Sequence, residues 1–469
     1  MFTIAEIVEA TGGAVAVGEA AGEVSGVSTD SRLAKPGELF VPLRGERFDG
    51  HNFLGSVWDR GVRVTLAEKR WLEEGNLPAG GCCIAVDDTL RALGDLASYH
   101  RRRFDLPVVG VTGSNGKTTT KEMLAAILSV GGEGLKTEGN LNNLIGVPQM
   151  LFRLTAAHRW AVLEMGMSEF GEIDRLAEIA RPDVGVITNA YPAHLETLGS
   201  VEGVAKAKGE LFLRLQPGGC AVFNAADQLI ARCPSPEGVR RISFGLWNAD
   251  VTAEAIEGLG IGGQRFMLRL PDAAVPVTLR AFGRHNVANA LAAAAAAHVL
   301  GISAETIARG LGEFHPYARR FNLEEVAGVV LVDDSYNANP ASMAAALTTL
   351  REIADGHRSV AVLGDMLELG EGAEEAHRQL GRLAATCVDR LYLLGPMAGV
   401  VAAGAREGGM AEGSLVIAAS HEEIVQDLRR TVGANEFILV KGSRGMAMDR
   451  VAEGVRTMET TTCGKGGPT

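Results

Sequence analysis

Residues 108–120 read Val-Val-Gly-Val-Thr-Gly-Ser-Asn-Gly-Lys-Thr-Thr-Thr, and this stretch decides the fold of the central part of the chain. The pattern predicts an apolar strand over 108–111, a glycine-broken loop, and a helix over 118–128. In a loop of this type, backbone N–H groups point into a concavity, and the N-terminus of the helix adds partial positive charge. The stretch therefore predicts a binding site for a nucleotide polyphosphate.

The side chains of this loop are also suited to phosphate. Lys117 supplies a full positive charge, and Thr118 or Thr119 supplies a hydroxyl for a phosphate-bound magnesium ion. The strict phosphate-loop pattern needs glycine at position 111, where this chain has Val111, so the loop is a variant. The alternative interpretation is a glycine turn before a surface helix. The residues expected around the phosphates are Gly113, Ser114, Asn115, Gly116, Lys117, Thr118 and Thr119.

Length, charge and cysteine usage limit the possible classes of protein. A chain of 469 residues is too long for one hydrophobic core, so two or three domains are expected. The formal net charge of −12 argues against a nucleic-acid-binding surface. The N-terminus lacks the basic segment of a signal peptide, and the Ala-rich run 290–297 is too short to span a bilayer. The six cysteines include no C-x-x-C pair, and free thiols in a cytoplasmic protein are expected.

Apolar strands alternate with helical patterns in two parts of the chain. The predicted strands are 108–112, 160–164, 184–188 and 220–223, followed by 328–332, 359–363, 391–394 and 437–440. This alternation predicts two α/β domains with parallel sheets and crossover helices, and 316–320 is the expected hinge between them. Short strands and turns fill the first hundred residues.

Polar side chains follow the strands of the first alternation. Glu164, Asn189 and Asn224 each stand at a strand end, where parallel sheets collect their ligands. Glu164 is suited to magnesium, directly or through water, and a solvent-exposed loop acid is the alternative. His194 lies just past another strand end and is either a ligand or a surface side chain.

Further along the chain, two lysines share the helical pattern 204–212. Lys206 and Lys208 are two residues apart, roughly 200° around a helix, so only one of them can face the site. From the pattern alone, both are expected in solvent.

Two asparagine-rich segments allow more than one interpretation. Asn140, Asn142 and Asn143 form either a turn or a set of amides that orient a polar substrate beside the phosphate site. At the start of the Ala-rich helix, either His285 and Asn286 cap that helix, or Asn286 and Asn289 reach a nucleotide base.

The second alternation carries two polar segments directly after strands. Residues 333–340 form a dense polar run, which favours a ligand-facing loop over a core role. Lys441 and Arg444 follow the strand 437–440 and are separated by small residues. Such a pair makes a clamp for a carboxylate or a phosphate, since arginine can bind either in a bidentate manner.

Together these motifs resemble the Mur ligases, ATP-dependent enzymes that join amino acids or a dipeptide to a nucleotide-linked muramic acid. The most specific marks are Asp-Ser-Tyr-Asn-Ala-Asn-Pro at 334–340, Val-Leu-Gly-Asp-Met-Leu-Glu-Leu-Gly-Glu at 362–371 with His377, and Val-Lys-Gly-Ser-Arg at 440–444. They are most similar to the members that add D-alanyl-D-alanine to UDP-N-acetylmuramoyl-tripeptide. Alternatives are a family ligase that adds one amino acid, a folylpolyglutamate synthase, or a P-loop ATPase switch.

The resemblance implies three domains: a UDP-sugar-binding domain at 1–103, an ATP-binding P-loop domain with a mostly parallel sheet at 104–315, and a Rossmann-like domain at 316–469 that closes over ATP and binds the dipeptide. In the implied reaction, the tripeptide carboxylate attacks the γ-phosphate of ATP. The dipeptide amine then displaces phosphate from the acyl phosphate, giving the pentapeptide for peptidoglycan synthesis. A bacterial, cytoplasmic monomer without membrane insertion is implied.

The resemblance also implies roles for individual residues. Lys117 would hold the β- and γ-phosphates, and the ligands of two magnesium ions would be Thr118, Glu164, His194 and a carbamylated Lys208. Asn286 and Asn289 would contact adenine. Arg320 and Asp334 would meet the nucleotide from the third domain, although the family usually has glycine where this chain has Arg319.

The substrate-binding residues are implied in the same way. The UDP-sugar loop would be Thr29, Asp30, Ser31, Arg32, Arg44, Gly45, Asp49 and His51. The sugar-peptide portion would lie near Asn140, Asn142 and Asn143, and the third domain would contribute Tyr336, Asn337, Asn339, Lys441, Ser443 and Arg444. Of these, Lys441 and Arg444 are suited to the carboxylate of the dipeptide.

Overall fold

A computed structural model describes residues 1–45, 48–76 and 81–458. The chain has an α/β architecture in which three successive regions each contain a β-sheet. The predicted α/β class is confirmed, and the two predicted alternations of strands and helices form the second and third regions.

The first region contains a five-stranded sheet and a short two-stranded sheet of β1 and β3. The strands of the region are β1 (Phe2–Thr3), β2 (Ala14–Val17), β3 (Glu23–Val24), β4 (Gly26–Ser28), β5 (Glu38–Phe40), β6 (Val64–Glu68) and β7 (Cys82–Val86). Its helices are α1 (Ile4–Thr11), α2 (Leu54–Asp59), α3 (Lys69–Glu73) and α4 (Thr89–Arg101). The sheet order is β2-β7-β6-β5-β4, in which β2 runs antiparallel to β7 and the other pairs are parallel. Buried Leu39, Leu66 and Ile84 form its core together with residues of α1 and α4.

The second region contains the predicted parallel sheet. Its strands are β8 (Val108–Thr112), β9 (Leu135–Lys136), β10 (Ala161–Glu164), β11 (Val184–Ile187), β12 (Cys220–Asn224), β13 (Arg240–Phe244), β14 (Thr252–Gly258), β15 (Gln264–Arg269) and β16 (Ala274–Leu279). The order β13-β12-β11-β8-β10-β9 places β8 between β11 and β10, all in parallel. The register pairs Glu164 with Val111, so this carboxylate lies beside the start of the phosphate loop.

The helices of the second region pack close to the phosphate loop. They are α5 (Lys117–Ser129), α6 (Gly146–Leu151), α7 (Glu172–Ala180), α8 (Leu195–Leu198), α9 (Val201–Leu213), α10 (Gln228–Ala231), α11 (Arg284–Val299) and α12 (Ala304–Glu313). Gly116, just before α5, has φ 83°, and a Cβ atom there would lie 2.2 Å from Asn289 Oδ1 on α11. Glycine is therefore required at this close approach of loop and helix.

Strands β14, β15 and β16 form a separate antiparallel sheet that the sequence analysis does not predict. Its buried residues Phe266, Leu268 and Val277 join the same core as the Ala-rich part of α11. The small alanine side chains at 290–297 are all fully buried there. The apolar run is therefore part of a hydrophobic core, in agreement with its being too short to span a bilayer.

The third region contains a second, mostly parallel sheet. Its strands are β17 (Asn322–Val326), β18 (Val329–Asp334), β19 (Ser359–Gly364), β20 (Arg390–Leu394), β21 (Leu415–Ala418) and β22 (Phe437–Lys441), and its helices are α13 (Pro340–Ala354), α14 (Ala373–Cys387), α15 (Ala398–Glu407), α16 (His421–Thr431) and α17 (Asp449–Arg456). The order is β17-β18-β22-β19-β20-β21, with only the edge strand β17 antiparallel in the described part of this sheet. The adjacent strands β18 and β22 pair Asp334 with Lys441.

Across the described ranges, no helix is both long and apolar enough to cross a membrane. The cysteines that the structure describes are free and buried: Cys82, Cys83, Cys220, Cys233 and Cys387. Cys463 lies outside the described residues.

Candidate active site

A cavity of about 590 Å³ lies where the carboxyl-terminal edge of the central sheet meets the third region. The phosphate loop, the ends of β10 and β11, and the start of α11 form one side of it. The end of β18 and the start of α13 form the other side. The cavity therefore combines side chains from two sheets that are far apart in sequence.

Glu164 is held in place inside this cavity. Its Oε2 accepts a hydrogen bond from Thr118 Oγ1 at 2.9 Å, and its Oε1 accepts one from Asn142 Nδ2 at 2.9 Å. The residue is 3% exposed, so the solvent-exposed alternative for this acid is wrong. A buried carboxylate with a fixed orientation beside a phosphate loop is a suitable oxygen donor for a divalent cation.

The loop itself is fastened by neighbouring strand ends. The backbone N–H of Asn115 donates to Asn189 Oδ1 at 2.9 Å, and Thr188 Oγ1 donates to the Asn115 carbonyl at 2.5 Å. Lys117 Nζ folds back and donates to the Gly113 carbonyl at 2.6 Å. Burial lowers the pKa of Lys117, and the nearby Glu164 carboxylate acts in the opposite direction.

Lys208 lies in the same cavity, whereas Lys206 does not. Lys208 is 3% exposed and, among the described residues, its amine makes no hydrogen bond or ion pair. Burial, together with the charge of Lys117, lowers the pKa of Lys208 well below its ordinary value. The expectation that both lysines are solvated is therefore wrong for Lys208. Lys206 is exposed, with its Nζ 5.7 Å from the centre of the Phe170 ring.

His194 faces the cavity from the segment before α8. Its φ is 53°, an uncommon conformation for a residue other than glycine, and its Nδ1 lies 3.1 Å from Glu368 Oε2 in the third region. Burial lowers the pKa of the imidazole, and the Glu368 carboxylate opposes that effect. Glu368 has no assigned role in the sequence analysis, although it belongs to the Gly-Asp-Met-Leu-Glu-Leu-Gly run.

Asn286 and Asn289 both line the cavity on the first turns of α11. The capping alternative for Asn286 is wrong, because the residue before the helix is Gly283 and no side chain caps it. Asn286 Nδ2 donates to the Phe282 carbonyl at 2.9 Å, and Asn289 Nδ2 donates to Asn286 Oδ1 at 3.0 Å. His285 also lines the cavity, and burial lowers the pKa of its imidazole to about 4.

Arg320 reaches the phosphate loop from the third region. Its Nη2 donates to Thr118 Oγ1 at 3.3 Å, and its guanidinium lies 4.0 Å from the centre of the Tyr336 ring. Arg319 points elsewhere and pairs with Asp449 at 3.0 Å on the surface. The structure thus distinguishes the two arginines: only Arg320 faces the cavity.

A reciprocal pair of amides also joins the two regions. Asn339 Nδ2 donates to Asn115 Oδ1 at 2.7 Å, and Asn115 Nδ2 donates to Asn339 Oδ1 at 3.2 Å. Asn339 is at the same time the N-cap of α13, where its Oδ1 accepts from the Ser342 N–H at 2.9 Å. The phosphate loop is therefore hydrogen-bonded directly to the start of a third-region helix.

The segment around Lys441 is more tightly paired than its sequence suggests. Lys441 Nζ donates to Asp334 Oδ2 at 2.7 Å and to the Asn337 carbonyl at 3.0 Å, which leaves its charge neutralised. The Arg444 guanidinium is exposed and lies 5.8 Å from the centre of the Tyr336 ring. The structure does not place Lys441 and Arg444 side by side as an open clamp, and Ser443 Oγ accepts from the Leu367 N–H at 2.9 Å.

The residues assigned to the UDP-sugar lie in the first region, outside the walls of this cavity. Thr29 Oγ1 accepts from Gln149 Nε2 of α6 at 2.8 Å, and Asp30 pairs with Arg32 at 2.7 Å. Bonding to Arg32 lowers the pKa of Asp30 to about 2. Arg44 pairs with Glu68 at 2.9 Å, and the buried His51 pairs with Asp49 at 2.6 Å. Ser31 lies between Asp30 and Arg32, and Gly45 follows Arg44.

The asparagine loop divides between two environments. Asn142 and Asn143 line the cavity, and Asn143 Oδ1 also accepts from the Gly146 N–H at 2.8 Å. Asn140 is exposed and is not part of the cavity wall.

Within the described ranges, no three His, Cys, Asp or Glu side chains are grouped closely enough to hold a metal ion by themselves. A cation in this cavity would need other donors as well, such as the Thr118 hydroxyl, phosphate oxygens or a modified lysine. Thr188 lines the cavity and Glu368 contacts His194, and neither was singled out from sequence. Asn189 was placed at the ligand-binding edge of the sheet but was given no role. The strand-end position of Asn189 was the available signal.

A phosphate loop on a parallel sheet, faced by an arginine and an acid of a second α/β region, defines a P-loop nucleotide-binding enzyme. The chain belongs to the Mur ligase family. Residues 23–101 match the Mur ligase family catalytic domain, residues 111–297 the Mur ligase middle domain, and residues 319–444 the Mur ligase glutamate ligase domain. The resemblance noted from the motifs is confirmed.

Curated relatives cover nearly the whole chain. The UDP-N-acetylmuramoyl-tripeptide–D-alanyl-D-alanine ligase of Escherichia coli is 39% identical over 444 residues, which cover 93% of this chain and 94% of the relative. The enzyme of the same name from Bacillus subtilis is 34% identical and covers 92% of this chain and 93% of its own length.

Solved structures give the same result. MurF from Acinetobacter baumannii superimposes with a TM-score of 0.88 at 35% identity, over 97% of this chain and 98% of that one. MurF ligase from Thermotoga maritima, solved in complex with ADP, has a TM-score of 0.82 at 28% identity, over 92% and 97%. A folylpolyglutamate synthase from Mycobacterium tuberculosis, at 17% identity and a TM-score of 0.64, covers 79% of this chain and 95% of its own and shares the fold alone.

Proposed function

We propose that the chain is an ATP-dependent ligase that joins D-alanyl-D-alanine to the terminal carboxylate of UDP-N-acetylmuramoyl-tripeptide, giving UDP-N-acetylmuramoyl-pentapeptide for peptidoglycan synthesis. The observation that carries the proposal is the shared cavity, in which Arg320 of the third region donates to Thr118 beside the phosphate loop. The relatives that cover nearly all of the chain bear the name of this reaction.

The chemistry of the reaction explains the cations of the cavity. A carboxylate is a poor acyl donor, and its phosphorylation creates a good leaving group for the later attack by the amine. Because the attacking carboxylate and the γ-phosphate are both anions, positive charge has to neutralise them as they meet. Lys117 supplies that charge from the central region and Arg320 from the third region.

Magnesium is proposed as the metal of this site, with Thr118, Glu164, His194 and a carbamylated Lys208 as its ligands. The donors fit, since Glu164 is a buried carboxylate with a fixed orientation and Thr118 Oγ1 lies 2.9 Å from it. Bound there, magnesium would neutralise phosphate charge. Lys117, Glu164, His194 and Lys208 are the proposed catalytic set.

The buried amine of Lys208 supports the modification. Its lowered pKa favours the neutral amine, which can attack carbon dioxide, form a C–N bond and release a proton to give a carbamate anion. A buried lysine beside Lys117 is electrostatically unfavourable as a cation, whereas a carbamate at the same place would be attracted to that charge. Lys208 would thereby become an oxygen donor.

The remaining assignments follow the position of each residue. Asn286 and Asn289 on the cavity wall would contact adenine, and Asp334 would meet the nucleotide from the third domain. The first domain, 1–103, would bind the UDP-sugar through the loops at 29–32 and around Arg44 and His51. The central domain would be 104–315, and the third domain would be 316–469.

Arg444 of the third domain is exposed and would receive the carboxylate of the dipeptide. A monomer in the bacterial cytoplasm is proposed.

A substrate panel tests the proposal. Purified protein with ATP and magnesium would be given tripeptides ending in lysine or in diaminopimelate, with D-alanyl-D-alanine or D-alanine alone, and phosphate release would be measured. We expect turnover that requires a UDP-linked tripeptide and the dipeptide together. Turnover with D-alanine alone would favour a ligase that adds single amino acids, and ATP hydrolysis without any acceptor would favour a P-loop switch.

A further inference from the structure

The guanidinium of Arg320 is held by an aromatic ring, not by a carboxylate. Its Cζ lies 4.0 Å from the centre of the Tyr336 ring, and its Nη2 donates to Thr118 Oγ1 at 3.3 Å. Its Nε is buried and, in the part of the chain that the structure describes, has no hydrogen-bond partner. No carboxylate in that part of the chain forms an ion pair with Arg320, so its charge stays unneutralised.

Two other arginines of the third region are held differently, by ion pairs. Arg319 pairs with Asp449 at 3.0 Å, and Arg456 pairs with Asp333 at 2.6 Å. An arginine in an ion pair has lost much of its attraction for another anion. An aromatic face attracts the cation through its quadrupole and leaves both the charge and the N–H donors free for a phosphate. The ring is therefore the better support for an arginine that has to bind an anion.

The backbone fixes the ring and the arginine relative to each other. The Tyr336 N–H donates to the Arg319 carbonyl at 3.3 Å, and the Phe321 N–H donates to Asp334 Oδ1 at 3.1 Å. Arg319 and Phe321, on either side of Arg320, have φ values of 62° and 51°. Two positions that flank Arg320 in a conformation that non-glycine residues seldom adopt indicate that the surrounding structure forces this segment to direct Arg320 towards the loop.

We propose that Tyr336 is a positioning residue for phosphoryl transfer, which holds the Arg320 guanidinium against the phosphate loop without neutralising it. The inference rests on the proposed ligase function, in which a substrate carboxylate accepts the γ-phosphoryl group of ATP. The face of the ring provides the attraction, and the Tyr336 hydroxyl is not required. The effect of Tyr336 on catalysis therefore passes through Arg320.

A fluorination series tests this mechanism with almost no change of shape. Phenylalanine and its mono-, di- and trifluorinated forms would be placed at position 336 by incorporation of non-natural amino acids. Fluorine withdraws electron density from the ring face, so kcat/KM for ATP should fall stepwise, by about tenfold over the series, within the range expected for a cation–π contact. Tyr336→Phe itself should stay within about twofold of the wild type. A flat series, or a large loss in Tyr336→Phe, would overturn the proposal.

The same series at Tyr99 is the matched control. The Tyr99 ring also carries a guanidinium, that of Arg103 at 4.9 Å, but it lies on α4, outside the cavity. Fluorination there should leave kcat/KM unchanged. A fall at both positions would indicate a general effect of the substitution and would contradict the assignment to Tyr336.

A double-mutant cycle shows whether Tyr336 acts through Arg320. Tyr336→Leu should lower kcat/KM by about tenfold in the wild type and have no further effect in Arg320→Ala, since coupled residues are not additive. Additive losses would overturn the proposal. If Tyr336→Leu does not fold, Tyr336→Met takes its place in the cycle.

Nucleotide binding separates this inference from the proposed function. The affinity for a fluorescent ATP analogue, measured without any acceptor, should weaken in the same order along the fluorinated series. If the wild type has no ligase activity but this order is seen, the ligase function fails and the role of Tyr336 stands. If the wild type is an active ligase and neither affinity nor kcat/KM follows fluorination, the role of Tyr336 fails alone.

Discussion

His194 of the central region and Glu368 of the third region meet at 3.1 Å between Nδ1 and Oε2. Both residues have positive φ values, 53° and 63°, which are unfavourable for residues other than glycine. Strain of this kind collects at functional sites, and here it falls on a contact between the central and third regions. In this structure the third region therefore lies against the His194 side of the cavity.

Closure should depend on ligands. The contacts of Arg320, Asn339 and Glu368 with the central region join parts of the chain that are remote in sequence, and a hinge motion would break them together. We expect small-angle X-ray scattering to show a smaller radius of gyration with a non-hydrolysable ATP analogue and UDP-linked tripeptide than without ligands. In Glu368→Ala the difference should shrink. Identical scattering curves with and without ligands would contradict closure.

The amide pair between Asn115 and Asn339 should affect nucleotide use more than stability. Asn339→Ser keeps an N-cap residue on α13 but is too short to hold the Asn115 amide. We expect the melting temperature to change little and KM for ATP to rise by roughly five- to tenfold, because the net loss from one or two hydrogen bonds is about 1–1.4 kcal/mol.

Ser303 is the control for the cap, since it caps α12 away from the cavity. Ser303→Ala should lower stability by about 1 kcal/mol without any change in KM. If Asn339→Ser behaves like Ser303→Ala, with a stability loss and normal kinetics, the amide pair has no role in nucleotide binding.

The paired lysines of α9 test the proposed carbamate. Lys208→Ala should lose activity by about a hundredfold or more, as expected for the removal of a group that stabilises developing charge. Added acetate or formate should restore part of the activity by supplying the missing carboxylate. Lys206→Ala, on the exposed side of the same helix, should keep wild-type activity.

The lowered pKa of Lys208 also predicts a dependence on carbon dioxide. Because burial favours the neutral amine, the carbamate should form at neutral pH and be lost when carbon dioxide is removed. Activity should fall in carbonate-free buffer and return with bicarbonate. Full activity of Lys208→Ala without rescue, or of the wild type after exhaustive removal of carbon dioxide, would exclude the carbamate.

The adjacent arginines should differ in their effects. Arg320→Ala should lower kcat by about 10²–10³-fold, the usual loss when one donor that stabilises transition-state charge is removed. Arg319→Gly removes an exposed ion pair, which is worth at most about 1 kcal/mol, and relieves a φ of 62°. Activity and melting temperature should therefore stay near wild type. A tenfold loss of activity in Arg319→Gly would show that the contact between Arg320 and the loop needs its neighbour.

Much of this site could be predicted because parallel strands have a simple sequence signature. The apolar runs of β8, β10 and β11 located the sheet edge, and the polar residues after them, such as Glu164, are the ones that line the cavity. The antiparallel sheet β14–β16 was missed. Strands β15 and β16 alternate between more and less buried positions, and β14 has a single buried residue, Ala253. All three strands therefore lack the continuous apolar runs that located the parallel sheet.

Other features depend on tertiary contacts that no local pattern contains. The helical period separates Lys206 from Lys208 but does not say which side of α9 is buried. The contact between His194 and Glu368 requires the relative placement of two domains. Lys441 looked like a free cation next to Arg444, but the pairing of β18 with β22 places Asp334 beside it.

In the proposed reaction, ATP activates the tripeptide carboxylate and is not simply hydrolysed. Isotope transfer tests this step directly. Both oxygens of the terminal carboxylate of UDP-N-acetylmuramoyl-tripeptide would be labelled with ¹⁸O, and the phosphate released on reaction with ATP and D-alanyl-D-alanine would be analysed by mass spectrometry. An acyl phosphate predicts one ¹⁸O atom in each phosphate released, since the carboxylate oxygen leaves with the phosphoryl group. Phosphate without ¹⁸O, released at the rate at which pentapeptide forms, would show that the reaction does not pass through an acyl phosphate.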